Sequence, residues 1–524
     1  MIRITDLKLP VHGTEEQLKK RAAKALGIPM EGIMQMQIFR RSLDARKKDQ
    51  IHYVYVVDVK VENEKKVLSK AKRNISVTPA YSYAFPQGRA ECKKRPVVVG
   101  FGPGGMFAAL LLAQMGLKPI VLERGGDVES RKKAVSLFWQ EGRLDTENNV
   151  QFGEGGAGTF SDGKLTTRIK DPRCRKVLEE MVEAGAPEDI LYDAKPHIGT
   201  DLLQGVVQGI REKIGSLGGE VRFFAKVTDI LVKDGGVEGV VLADGEKIQT
   251  DDVVLAIGHS ARDTFEMLYQ KGVLLEQKPF AMGVRIEHPQ KMIDIAQYGD
   301  AAEKLPPGDY RLTYTTKKGR GVYTFCMCPG GYVVAAASEE GRLAINGMSQ
   351  HARDGENANS ALLVQVFPVD FGSDHPLAGM YFQRDLEEKA FALGGGSYTA
   401  PIQSVGGFLG ISKESPRVCP TYRPRTKEAD LSKIFPPFMT EALGEAIPVM
   451  GKKLKGFDRE DAVLTAVESR SSSPVRILRN DHGESLWAKG LYPTGEGAGY
   501  AGGIISAAVD GILAAEKIFQ KNLI

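Results

Sequence analysis

The sequence predicts an α/β chain: a dinucleotide-binding domain in two halves, interrupted by a β-rich α+β cap and preceded by a small α+β unit. Three observations predict it. Val97, Val98 and Val99 run into Gly100-Phe101-Gly102-Pro103-Gly104-Gly105 and then an apolar stretch to Met115, which reads as strand, glycine loop, helix. A second glycine-rich turn, residues 490–503, precedes another apolar helical run. Between the two, strand-like runs fall at residues 280–287, 311–315, 322–328 and 331–337. The expected divisions are 1–94 for the N-terminal unit, 95–270 for the first part of the Rossmann-like domain, 271–460 for the cap and 461–524 for the second part.

A chain of 524 residues suits roughly three domains. With 42% hydrophobic and 26% charged residues it has the composition of a globular protein, not of a disordered or membrane-spanning one. Charge is unevenly spread: residues 1–95 hold 21 Lys/Arg against 10 Asp/Glu, a net of +11, and the remainder carries −7. Five cysteines, Cys92, Cys174, Cys326, Cys328 and Cys419, form no dense disulfide framework and favour a reducing, cytoplasmic setting. The first ten residues are charged at positions 3, 6 and 8 and lack the apolar centre of a secretory signal. Residues 96–117 are uncharged and long enough for a bilayer, but five glycines and Pro103 interrupt them, so strand, turn and helix explain them better than a membrane span.

The N-terminal unit begins with a strand to Leu9, then a helix opened by the capping box Thr14-Glu15-Glu16-Gln17 and closed near Gly27. Two strands follow, the second presenting Ile51, Tyr53, Tyr55, Val57, Val59 and Val61 on one face. A helix over residues 63–72 completes a β-α-β-β-α module. The basic hairpin, with Arg40, Arg41, Arg46, Lys47 and Lys48, is read first as a solvated turn; a nucleic-acid surface is the lesser alternative. Residues 79–95, with Pro79 and Pro86, read as a linker.

In the glycine loop, Gly100 permits the turn, Gly102 lets the main chain approach a pyrophosphate, and Gly105 lets the helix pack closely. A second strand, residues 119–122, ends at Glu123, about 20 residues on, where a carboxylate holds the adenosine ribose. An ordinary glycine-rich turn is the bland alternative. Three features favour FAD over NAD. Residues 225–258 read as a β-meander returning to a core strand. Residues 153–164 offer a loop poor in side chains where a large flat ring can lie. The turn at 490–503 places a second helix N-terminus toward phosphate or ribityl groups, with Glu496 beside it.

With GFGPGG, GEGGAGTFSDGKLTTR, KPFAMGVRIEHPQ, FCMCPGG, GGGSYTAP, ESRSSSPVRILR and YPTGEGAGYAGGI, the chain resembles glutathione-reductase-like and fumarate-reductase-like flavoproteins over residues 95–524. It resembles more closely an uncharacterised bacterial group of FAD-dependent dehydrogenases. The resemblance implies an FAD site built from Gly100, Gly102, Pro103, Gly104, Gly105, Glu123 and Arg124 around the ADP half. Gly155, Gly156, Ala157, Gly158, Thr159, Ser161, Asp162 and Lys164 would surround the flavin, with Gly495, Glu496, Gly502, Gly503 and Ile504; Val227, Ala256 and Gly258 complete the set.

Catalytic candidates are fewer. Cys326 and Cys328, at i and i+2 of a strand, would share a face and could exchange electrons with a flavin, though packing is the stronger reading. Arg470 and Arg476 precede the last glycine turn and suit an anionic substrate or the reduced flavin, against a structural pair with Glu468. Arg479, Tyr422, Arg423 and Arg425 pose the same choice. His259 follows the strand ending at Gly258, and His288 stands near an expected cap entrance. No Cys/His spacing points to a metal. The reaction expected is hydride transfer between an unidentified small molecule and flavin N5. NAD(P)H is a transient donor beneath the cap at most, because no second complete glycine-loop unit is present; a redox partner protein or a reduced substrate is the other source of electrons. A flavin-containing regulatory protein that binds nucleic acid or protein is the alternative.

Overall fold

The computed structural model describes residues 1–70 and 73–524. Its centre is a five-stranded, all-parallel sheet in the spatial order Leu491–Pro493, Val253–Leu255, Val97–Val99, Ile120–Leu122, Glu220–Arg222. The outermost strand comes from far down the chain, so the dinucleotide-binding sheet is discontinuous. Its strands read as unbroken valine and leucine runs because both faces are covered. Val98, Val121 and Val254 pack against the helices Pro103–Gln114, Thr200–Ser216 and Ile504–Lys521, while Val97, Val99 and Leu255 pack beneath the three-stranded meander Val227–Lys233, Gly236–Leu242, Lys247–Gln249.

Helices Pro103–Gln114 and Ile504–Lys521 lie against each other at backbone distance. A Cβ on Gly511 would strike the carbonyl of Gly104, and one on Gly105 would strike that of Gly100. Gly105 thus lets its helix sit directly on the turn at Gly100. Both helices begin on the same side of the sheet.

The cap is a seven-stranded mixed sheet, in the order Thr313–Thr315, Gly321–Cys328, Asn357–Val366, Phe280–Pro289, Val463–Glu468, Thr399–Ser404, Arg425–Glu428. Its large core forms under the helices Ala378–Gly394 and Pro437–Lys453. The strand Val463–Glu468 pairs with Gly283 to Glu287, so cap structure runs past the expected boundary at residue 460. That strand is too apolar and too completely buried to stand outside a sheet. An antiparallel pair, Leu275–Gln277 with Val475–Ile477, joins cap to sheet.

The N-terminal unit has the expected capping box, Thr14 with Gln17, and a C-cap at Gly27. Its sheet gains a fourth strand, Ile75–Val77, beside Ile2–Pro10. The second helix spans Glu64–Leu68; residues 71 and 72 of the expected helix lie outside the described residues. The basic hairpin is partly spoken for. Arg41 grips Asp193 through two hydrogen bonds of 2.6 and 2.8 Å, and its main chain bridges to Tyr192 and Ala194, while Lys48 reaches the carbonyl of Ala296. Arg40, Arg46 and Lys47 remain exposed.

The linker lies along the C-terminal helix, with the Tyr83 hydroxyl donating to Glu516 at 2.6 Å. Main-chain bonds tie Arg89 to Ile524 and Glu91 to Asn522. Among the described residues no helix is long and apolar enough to cross a membrane.

Candidate functional site

A cleft partly open to solvent runs between the carboxyl ends of the parallel strands and the cap. This is where an open α/β sheet leaves room for a ligand. One wall is main chain. The turn after Val97–Val99 needs Gly100 at φ 95°, and Gly102, Pro103 and Gly104 bring the N-terminus of Pro103–Gln114 to the cleft. Opposite, Gly502, Gly503 and Ile504 bring up the N-terminus of Ile504–Lys521. Neither N-cap is a residue with a side chain to satisfy the first turn. Free N–H groups and two helix dipoles thus converge on one space, an arrangement suited to phosphate.

At some glycines here a Cβ would meet little or nothing among the described residues. A Cβ on Gly102 would meet only the Cα of Gly156 at 3.8 Å, and one on Gly502 would meet nothing within 4 Å. Neither sits in the left-handed region. Each Cβ would take up cleft space that a ligand's backbone contact leaves no room for.

Glu123, at the end of Ile120–Leu122, accepts N–H bonds from Phe101 at 2.8 Å and from Gly125 and Gly153 at 2.9 Å. An ionised carboxylate has about four acceptor positions, so one is left for a ribose hydroxyl. Arg124 also lines the cleft, tied to Glu147 and Asp263 and lying over the Phe152 ring. Gly156, Ala157, Gly158, Ser161, Val227, Ala256, Gly258, Gly495 and Glu496 line it too.

Five residues expected at the cofactor stand behind this lining. Gly105 packs on Gly100, and Gly155 on Thr159 and Val207. The Thr159 hydroxyl donates to the carbonyl of Glu154. The buried carboxylate of Asp162 takes Lys164 and Arg353, each at 2.6 Å, and the Ser349 hydroxyl; Lys164 also donates to the carbonyl of Met327. Two cations outweigh burial and hold the Asp162 carboxyl down at about 2. These side chains brace the loop.

His259 Nδ1 lies 3.4 Å from Glu496, and its buried Nε2 has no partner among the described residues. Gly495 is held from behind: its N–H donates to Asp510 at 2.7 Å, and Arg479 binds both Asp510 and the carbonyl of Pro493. Arg479 is therefore a support for the last turn.

The cap wall is made of side chains: Phe325, Cys326, Asn346, Glu468, Arg470 and Ser471. Arg470 does not pair with Glu468. Its guanidinium donates to Ser338 at 2.6 Å and to both oxygens of Glu387 at 3.2 Å. Arg262 shares that carboxylate at 2.7 and 2.8 Å. Burial would raise the Glu387 carboxyl, but Arg262 and Arg470 outweigh it and hold it far below its ordinary range. Burial and the neighbouring Arg262 in turn pull Arg470 below the usual guanidinium value, although Glu387 and Glu339 oppose the shift. Glu468 belongs to the wholly buried Arg285, at 3.0 Å.

Two candidates lie elsewhere. Arg476 does not line the cleft; half-exposed, it pairs with Glu276 at 2.9 Å and covers the Tyr500 ring, since Val475–Ile477 turns it away from the cap sheet. Cys328 is buried, with Sγ 3.2 Å from the carbonyl of Cys326. The i, i+2 argument fails because the strand is irregular between Phe325 and Cys328 and Cys326 has φ 44°. Cys326 alone faces the cleft. Burial pushes both thiols up, Cys328 to about 12, so neither is a ready thiolate at neutral pH. His288 lies in the cap core, not at an entrance, its Nε2 2.8 Å from the carbonyl of Phe457. Tyr422 is also buried there, its hydroxyl donating to the carbonyl of Tyr398 at 2.9 Å.

Asn346, Phe325, Gln151 and Phe152 line the cleft without having been anticipated. Phe325 arrives on the cap sheet and Asn346 on a separate hairpin, Gly331–Ala335 with Ile345–Ser349, which leaves no local signal. Gln151 and Phe152 directly precede the GEGGAG loop, and that adjacency is a usable one.

Residues 94–279 match the family described as pyridine nucleotide-disulphide oxidoreductase, and residues 279–471 match one described as FAD-dependent protein, C-terminal domain-like. Residues 1–60 match a domain of unknown function. A protein of Clostridium beijerinckii named only "Uncharacterized protein" is 54% identical over 527 residues, covering 99% of each chain. The chain belongs to a family of FAD-dependent oxidoreductases. Among solved structures, the flavin-dependent brominase Bmp2 aligns at 15% identity and a TM-score of 0.40 over 82% of this chain and 79% of that one. The FAD-complexed glycerol-3-phosphate dehydrogenase from Bacillus halodurans aligns at 11% and 0.36 over 82% and 65%. At these scores neither likeness carries an argument about this flavoprotein.

FAD is the cofactor, and the cleft fits it. The glycines whose Cβ would meet little or nothing, the two helix ends and the His259 Nε2 without a partner among the described residues are what a long, flat, phosphate-bearing molecule would need. In this flavoprotein Gly102, Gly104, Gly502 and Gly503 would hold it by main chain, Glu123 by its remaining acceptor position, and His259 by its free ring nitrogen.

Proposed function

We propose that this oxidoreductase is a dehydrogenase for a small molecule that enters beneath the cap. Bound FAD supplies the redox chemistry, accepting or returning a hydride at N5. The chain's own contribution is position and charge. The observation that carries this reading is the pairing of a main-chain wall with a side-chain wall that includes the pinned Arg470 guanidinium. Glu387 and Ser338 fix Arg470 from behind, so its charge can meet an anionic group without first being ordered. Asn346 and Ser471 add neutral polar groups along the same wall.

NAD(P)H would serve, on this reading, as a transient donor entering the same cleft. The test is anaerobic reduction of the purified yellow protein. NADH or NADPH is expected to bleach it, with dithionite as the positive control. If dithionite bleaches it and neither nicotinamide does, the nicotinamide route is lost, and reduced small molecules become the donors to try.

A further inference from the structure

A second cavity opens off the flavin cleft on the cap side. The two share Phe325, Ser471 and Gly502. We propose that this annex is the substrate seat and that it takes a planar aromatic molecule bearing a carboxylate or similar oxygen acceptor. The inference rests on the flavoenzyme reading above and names its substrate class.

The walls come from the strand pattern. In Gly321–Cys328, Val322 and Thr324 turn inward to the cap core, so Tyr323 and Phe325 stand together on the other face. Beneath Tyr323 lie the buried Ala281, Ala361 and Leu363, an aliphatic floor between large rings. Phe367 and Phe280 form the far side; Phe280 is itself stacked on Phe371 at 5.4 Å and 18°, so that side is rigid. Phe325 is 38% exposed and Phe367 36%, although both border a concavity. Aromatic rings left bare around an aliphatic floor offer stacking and edge contacts to another ring, where a flexible chain would gain only area.

The polar groups point to an acceptor on the ligand. Ser472 Oγ takes a hydrogen bond from Lys278 Nζ at 3.0 Å, which leaves its own O–H to donate. Gln365 uses Oε1 to accept from the N–H of Gly321 at 3.0 Å, so its amide N–H₂ is the part left for a ligand. Lys278 has no carboxylate within ion-pair distance among the described residues, and its charge stands behind Ser472. A ring lying on Tyr323 and Phe367 with its oxygen toward Ser472 and Gln365 would extend past Phe325 to the cleft wall that holds Cys326 and Arg470.

Calorimetric titration of the FAD-loaded protein with 2-naphthoate tests this. Binding at one site is expected, with octanoate, which has the same charge and no ring, about tenfold weaker. Tyr323→Ala and Phe367→Ala, both outside the cofactor cleft, should each weaken 2-naphthoate about tenfold with bound flavin per chain unchanged. No binding of 2-naphthoate overturns the proposal. So does binding that neither variant weakens, or octanoate binding as tightly as the ring. A preparation that proves colourless yet binds 2-naphthoate with this variant pattern would sink the flavoenzyme reading and leave the aromatic seat standing.

Discussion

The two walls of the cleft are built from opposite materials. The cofactor wall is largely helix ends and glycines, and its Glu123 side chain binds main chain. The cap wall is side chains pinned by buried ion pairs, Arg470 by Glu387 and Glu468 by Arg285. A ligand that never changes can be met by main-chain N–H groups and by the lack of Cβ atoms. A ligand specific to one enzyme needs side chains, and charged ones must be fixed from behind before they can be buried.

Gly102→Val should break the comparison most completely on the cofactor side. Its Cβ has room in the protein but none beside a bound dinucleotide, so the variant should fold and emerge from gel filtration without FAD. A yellow, fully loaded variant would move the pyrophosphate elsewhere. The matching change on the cap side is Glu387→Ala, which strips the shared anion from Arg262 and Arg470. Leaving buried guanidiniums short of a partner should cost about 3–5 kcal/mol in urea unfolding. A loss below about 1 kcal/mol would show that Glu339 can carry both cations.

A smaller effect should sharpen the contrast further inside the cap. Burial lowers the His288 pKa to about 4, so protonation favours the unfolded chain. The stability that depends on neutral His288 is complete above about 6.5, its unfolded value, and drains as pH falls toward the folded value. Between pH 7 and pH 5 the loss should be about 2 kcal/mol. His288→Gln keeps a donor for the Phe457 carbonyl and removes the titration. If its unfolding curves show the same pH dependence as the parent, another group is responsible.

The cofactor wall was largely legible because its chemistry is local. A strand, a glycine loop and a helix follow one another within residues 97–114, and the turn before residue 504 repeats the signal. What local reading missed there was depth: Asp162 and Lys164 look like ligands in a glycine-rich run, but they pair with each other and with Arg353, nearly 200 residues away. The cap wall was legible only in part. Arg470 and Cys326 stood out as residue types, yet the anchor at Glu387 depends on which helix packs under which strand. The shared face inferred for Cys326 and Cys328 fails because a strand irregularity breaks the alternation, while the preferred reading of them as packing or pocket-lining residues agrees with their places.

The sheet's outermost strand, Leu491–Pro493, and the helix starting at Ile504 complete the FAD site opposite a loop made near residue 100. A ribosome must therefore deliver more than 500 residues before any nascent chain can grasp its prosthetic group. Until then the first glycine loop waits in a half-built enzyme, and flavin scarcity in the cell would be felt after translation, as apoprotein, not during it.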